Sequence, residues 1–199
     1  MHAARRGCPG AQLAAVDGVT VPASLRPTAA RLRPTSSGPS ALVLGAAIAL
    51  LTWPPITALR AEGTARIVRS HRVGSLLELA NVQRAKAGLP PLHADPKLMK
   101  AAQAQAEQAA AAGRLQHVLP GARYPRPQDR LDAFGYPWRA FAENIAYGHA
   151  DAAAAIEAWM HSPGHRKNLL SPAYTELGTG FATDVAGRPY DVQVFGRPR

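Results

Sequence analysis

Glu143, in the run Ala142-Glu143-Asn144-Ile145-Ala146, and two histidines are the residues of this chain best suited to chemistry. One histidine, His117, lies upstream; the other, His165, lies in Ser162-Pro163-Gly164-His165-Arg166-Lys167-Asn168. His165 falls in the first turn of a helix opened by Ser162-Pro163, where unpaired N–H groups and the positive dipole end disfavour imidazolium. A neutral imidazole is the form that binds metal. Two neutral histidines with one or two carboxylates suit a divalent ion, zinc best, and the lack of thiolates leaves an open coordination position conceivable. A metal-bound water with Glu143 as general base would make a hydrolase.

A structural reading of the same residues stays open. His117 could bond the last carbonyls of a preceding helix, and Glu143 could pair with Arg84, Arg130 or Arg166 to fasten a sheet to a helix. No His-Glu-x-x-His helix, Gly-x-Ser-x-Gly elbow or cysteine nucleophile is present. N-capping accounts for Ser162 without a nucleophilic role. His161 is out of register with His165 because Pro163 and Gly164 intervene, and His149, His93, His71 and His2 read as solvated.

The elements that must position these groups follow from periodicity and caps. Ser75 is expected to open a helix with Leu76, Leu77, Ala80 and Arg84 on one face and Gly88 as its stop. Asp95-Pro96 opens a second helix, with Leu98, Ala102, Gln105, Ala106 and Ala109 inward and Gly113 at its end. Residues 118–140 carry four prolines and read as loop, broken by a helical turn around Asp129-Arg130-Leu131. A third helix is expected from Asp151 to His161, burying Ile156, Trp159 and Met160, and a fourth from Ser162 to Leu170. Residues 177–183 and 190–195 read as a hairpin, with a third strand at Asn144-Ile145-Ala146. The expected class is therefore α+β, helices packed on a small antiparallel sheet. Tyr136, Trp138, Phe141 and Tyr147 are expected chiefly in its core.

The 199 residues carry a net charge of +10, of which seven charges fall in residues 1–74 and three in the remainder. A nucleic-acid domain would carry its basic patch on the folded part, so nucleic acid is excluded as a partner. Residues 1–40 read as a disordered or mis-started leader and residues 41–61 as a signal-peptide-like segment. The uncharged run 41–53 is too short for the roughly 30 Å membrane core. Residues 62–74 are expected as a linker and 75–199 as the domain. Membrane contact is expected only if the apolar segment stays uncleaved. The single cysteine, Cys8, allows no intrachain disulfide.

Several ordered motifs carry a resemblance: Asn81-x-x-Arg84, Gly88-Leu89-Pro90-Pro91-Leu92, Asp95-x-x-Leu98, Gly135-Tyr136, Glu143-Asn144-Ile145-Ala146, Trp159-Met160-x-Ser162-Pro163-Gly164-His165-Arg166-x-Asn168 and Tyr174-Thr175-Glu176-x-Gly178-x-Gly180. Together, across residues 75–196, they resemble the bacterial CAP domain, or SCP-like extracellular domain. This superfamily includes cysteine-rich secretory proteins, antigen 5 and pathogenesis-related 1 proteins. The resemblance implies an α-β-α sandwich without disulfides, secreted or held in the periplasm or at the cell surface. It also implies a cleft lined by His117, Glu143 and His165, with Asp129 in the place usually held by a second glutamate. An extracellular ligand, lipid, sterol or cell-envelope material, follows from it, and a binding module is expected ahead of a metal-dependent hydrolase.

Overall fold

The computed structural model describes residues 12–16 and 56–199, with side chains from Glu62 onward. The leader apart from residues 12–16, and the apolar run 41–53, lie outside the described residues. The elements in chain order are β1 (Gln12–Val16), α1 (Ile56–Lys86), β2 (His93–Ala94), α2 (Pro96–Ala112), α3 (Pro127–Ala133), β3 (Trp138–Tyr147), α4 (Ala152–His161), α5 (Pro163–Leu169), β4 (Glu176–Thr183) and β5 (Pro189–Pro198). Among the described residues no helix is long and apolar enough to cross a membrane.

The strands form one five-stranded sheet in the order β1-β3-β5-β4-β2. All its pairs are antiparallel except β2 with β4, so the sheet is mixed rather than purely antiparallel. Each face buries its own core. Leu98, Ala102, Ala106 and Ala109 of α2 pack with Leu131, Phe141, Ile145, Val192 and Val194 on one side. Leu76 and Ala80 of α1 and Ile156 and Trp159 of α4 pack with Ala142, Ala146, Leu177 and Phe195 on the other. Alternating residues of β3 and β5 thus feed opposite layers, as the period of two in a strand requires. The result is the α-β-α sandwich.

Caps set the helix limits where the sequence supplies them. Asp95 accepts from the backbone N–H groups of Lys97 and Leu98, and Gly113, at φ 61°, closes α2 in the left-handed region that glycine tolerates. Asp151 caps α4 by accepting from Ala154 N–H. The expected linker 62–74 is instead the middle of α1, and Ser75 sits inside that helix. Nothing between Glu62 and Ser75 stops a helix: the stretch holds no proline, and both Gly63 and Gly74 are accommodated within it.

Candidate functional site

Glu143 lies mid-way along β3, fully buried, on the face toward α2 and α3. Arg130 of α3, also fully buried, donates from Nη2 to both carboxylate oxygens at 3.0 and 2.8 Å. The same nitrogen reaches the His117 carbonyl at 3.3 Å, and Nη1 reaches that of Tyr124 at 3.3 Å. The His117 ring closes the cluster, with Nδ1 2.8 Å from Glu143 Oε1. A carboxylate held by a guanidinium only accepts, so His117 donates its Nδ1–H to Glu143. Its Nε2 is buried with no hydrogen-bond partner. Of the three arginines open to Glu143 in sequence, Arg130 is the partner. Arg84 is spent on the carbonyls of Pro90, Leu169 and Ser171, and Arg166 is exposed.

The next residue turns the other way. Asn144 donates to the carbonyl of His165 at 3.2 Å and accepts from Asn168 at 3.1 Å, so it fixes α5 to the strand. His165 is buried, and its Nδ1 lies 2.7 Å from Ser162 Oγ. Ser162 makes no side-chain cap bond to the α5 backbone, so its hydroxyl serves His165 rather than the helix end, against the capping expected of it. His117 and His165 are thus held from opposite sides of β3, one by Glu143 and one by the Asn144–α5 network.

Asp129 does not join either set. Its carboxylate accepts from the Arg126 backbone N–H at 3.0 Å and pairs with the Arg126 guanidinium at 2.7 Å, closing the first turn of α3. The Arg126 hydrogen bond is the main cause holding its carboxyl below the ordinary value. Successive helix positions face apart, so when Arg130 points at Glu143 its neighbour Asp129 points elsewhere. Among the described residues no group of three or more His, Cys, Asp or Glu is placed to hold a metal ion. With both Glu143 oxygens already taken by a guanidinium, this donor set does not fit a divalent ion.

His149 is another departure from expectation. It is partly buried rather than solvated, and burial, with Arg72 nearby, lowers its pKa. Arg72 itself forms a bidentate pair with buried Asp191, Nε–Oδ1 at 2.7 Å and Nη2–Oδ2 at 2.6 Å, and donates to the carbonyls of His149 and Ala150. Sequence reading passed over this pair. Its signal was an acid in the apolar strand Tyr190–Phe195. Beside it, α1 and the start of α4 border an open, mostly apolar cavity of about 510 Å³, lined by Ile67, Val68, Arg72, Leu79, Ala152 and Ala153 among others.

The family model for the cysteine-rich secretory protein (CAP) family matches residues 77–195. The chain belongs to the CAP family. It is 38% identical over 106 residues to the uncharacterized protein YkwD of Bacillus subtilis, a match covering 53% of this chain and 40% of that protein. A secreted protein of Candida albicans is 34% identical over 99 residues, 50% of this chain and 22% of its own length. The match therefore spans 40% or less of the length of these relatives. Among solved structures, an extracellular SCP-domain protein from Bacillus anthracis superposes with a TM-score of 0.60 at 29% identity, covering 65% of this chain and 41% of that one. An outer surface protein from Borrelia burgdorferi shares the fold, with a TM-score of 0.57 at 22% identity over 62% of this chain and 90% of its own. The CAP match begins at residue 77, whereas α1 starts twenty-one residues earlier, at Ile56.

Proposed function

We propose that this CAP domain is an extracellular binding module that takes an apolar or amphiphilic ligand of lipid type between α1 and α4, without a divalent metal and without catalysis. The cavity carries the reading. At about 510 Å³ it lies within the roughly 300–1,000 Å³ of small-molecule sites. Its wall includes Ile67 and Val68, which remain 71% and 53% exposed on α1. Isolated exposed apolar residues need no explanation, but two adjacent ones on the rim of an apolar cavity extend it into a binding surface. Arg72, His71 and Asp151 give that rim a polar end against which a headgroup could lie.

Placement outside the cell is supported by the apolar run 41–53 and by relatives described as extracellular, secreted or outer-surface proteins. The Glu143 cluster is read as a fastener for the loop between α2 and α3, because its carboxylate accepts from buried Arg130 and from His117. The hydrolase alternative, on peptides or cell-envelope material, calls for Glu143 free as a base beside a metal, and its pairing with Arg130 argues against that.

Titration with a fluorescent long-chain fatty acid, followed by emission, tests the reading. Saturable uptake is expected, weakened about tenfold by Val68→Asp, which sets a charge on the apolar wall. Uptake is expected unchanged in His165→Ala. Absence of saturation, or equal uptake by Val68→Asp, would overturn the assignment.

A further inference from the structure

Arg72, Ser75 and Asp151 supply polar groups to the wall of the cavity between α1 and α4, and what they leave unbonded decides which head group suits it. Arg72 commits Nε and Nη2 to Asp191 at 2.7 and 2.6 Å, Nη2 also to the His149 carbonyl and Nη1 to that of Ala150, both at 2.9 Å. Of the five N–H donors of a guanidinium, that leaves one, on Nη1. Its charge is matched as well, by the buried carboxylate of Asp191. Asp151 caps α4 by accepting from Ala154 N–H on Oδ1 at 2.8 Å, and among the described residues its Oδ2 is an open acceptor. The positive end of the α4 dipole, which would favour an anion, already faces that carboxylate. Burial raises the Asp191 pKa, Arg72 opposes it and Asp151 adds to the rise, so the fields of the two carboxylates overlap here. Two carboxylates against one guanidinium leave this part of the wall negative.

We propose that the cavity prefers an amphiphile whose uncharged head both donates and accepts, a hydroxyl above all, and that Asp151 selects against anionic heads. This rests on the lipid reading and names the head-group class within it. A hydroxyl can accept from the spare Arg72 N–H and donate to Asp151, while the Ser75 hydroxyl serves in either direction. A carboxylate only accepts. It finds Arg72 already neutralised by Asp191 and meets Asp151 as a like charge. The cavity is open to solvent, so screening makes the effect a preference rather than an exclusion.

The test uses the full chain and one fluorescent long-chain probe, ending either in a carboxylate or in a primary alcohol. Titrations are run on the alkaline side of neutrality, where an ordinary histidine carries no charge. Wild type is expected to bind the alcohol about tenfold more tightly than the acid. In Asp151→Asn the ratio is expected to fall to about threefold or less, through tighter binding of the acid, because asparagine caps a helix as well as aspartate does but without charge. Asp151→Ser, another uncharged cap, is expected to give the same ratio, which separates the charge from any change in α4. Raised salt is expected to narrow the ratio in wild type and to leave it unchanged in the variants. Saturation by neither probe overturns the lipid reading and this proposal with it. Saturation by both at equal affinity, or with the acid tighter, overturns the head-group preference and leaves the lipid reading standing. A preference undiminished in both variants overturns the role of Asp151.

Discussion

Glu143 is a buried carboxylate whose negative charge is matched by a buried guanidinium, and that match decides what the residue can do. Removing one partner of such a pair strands the other without water, which costs far more than the pair itself contributes. Arg130→Met is therefore expected to lower stability by about 3–5 kcal/mol in urea unfolding, and Arg130→Met combined with Glu143→Leu to lose less than Arg130→Met alone. A single-variant cost near the 0.5 kcal/mol of an ordinary surface change would show that the cluster does not hold the α2–α3 loop. The same pairing bears on metal. Calorimetric titration with zinc is expected to give matching heats for wild type and for His117→Ala/His165→Ala; a heat present only in wild type would restore a metal role to the histidines.

At the scale of elements, the alanine-rich face of α2 and the glycines of β4 explain one another. A Cβ built on Gly178 would run into the backbone of Leu98 and Met99, and one on Gly180 into that of Ala102 and Gln103. The strand and helix thus meet backbone to backbone, closer than any side chain allows. Helix backbone cannot rotate out of the way as a long side chain does, so Gly180→Ala is expected to cost about 1–3 kcal/mol or more, read as a fall in Tm. Much of this layer was legible in the sequence, because the period of Leu98, Ala102, Ala106 and Ala109 and the caps Asp95 and Gly113 act locally. Two features were not legible, for opposite reasons. The reach of α1 back to Ile56 was not legible because nothing from Glu62 to Ser75 caps or breaks a helix, which then simply continues. The choice of Arg130 over Arg84 or Arg166 for Glu143, and the loss of Asp129 to Arg126, depend on the rotation of α3, which spacing along the chain does not specify.

At the scale of the whole molecule, Arg72 joins parts that are remote in sequence: β5 through Asp191 and the turn before α4 through the carbonyls of His149 and Ala150. Its guanidinium also lies 4.7 Å from the centre of the Phe181 ring on β4. Arg72 lines the cavity as well, so the pair with Asp191 ties the proposed binding surface to the centre of the sheet. Burial raises the Asp191 pKa against the opposing pull of Arg72. A carboxyl raised in the folded state contributes stability at low pH and loses it as pH rises from the ordinary value of 3.8 through the folded one. Arg72→Ala removes the opposing pull and leaves the raising causes, burial and nearby Asp151, so the folded value climbs further and the window of loss extends upward. The variant is expected to be less stable than wild type by about 3–5 kcal/mol near neutral pH, and to regain part of that at acidic pH, where protonated Asp191 needs no partner. Thermal unfolding at the two pH values checks it. A deficit equal at both would mean that Arg72 acts through the His149 and Ala150 carbonyls and the Phe181 ring rather than through the buried charge.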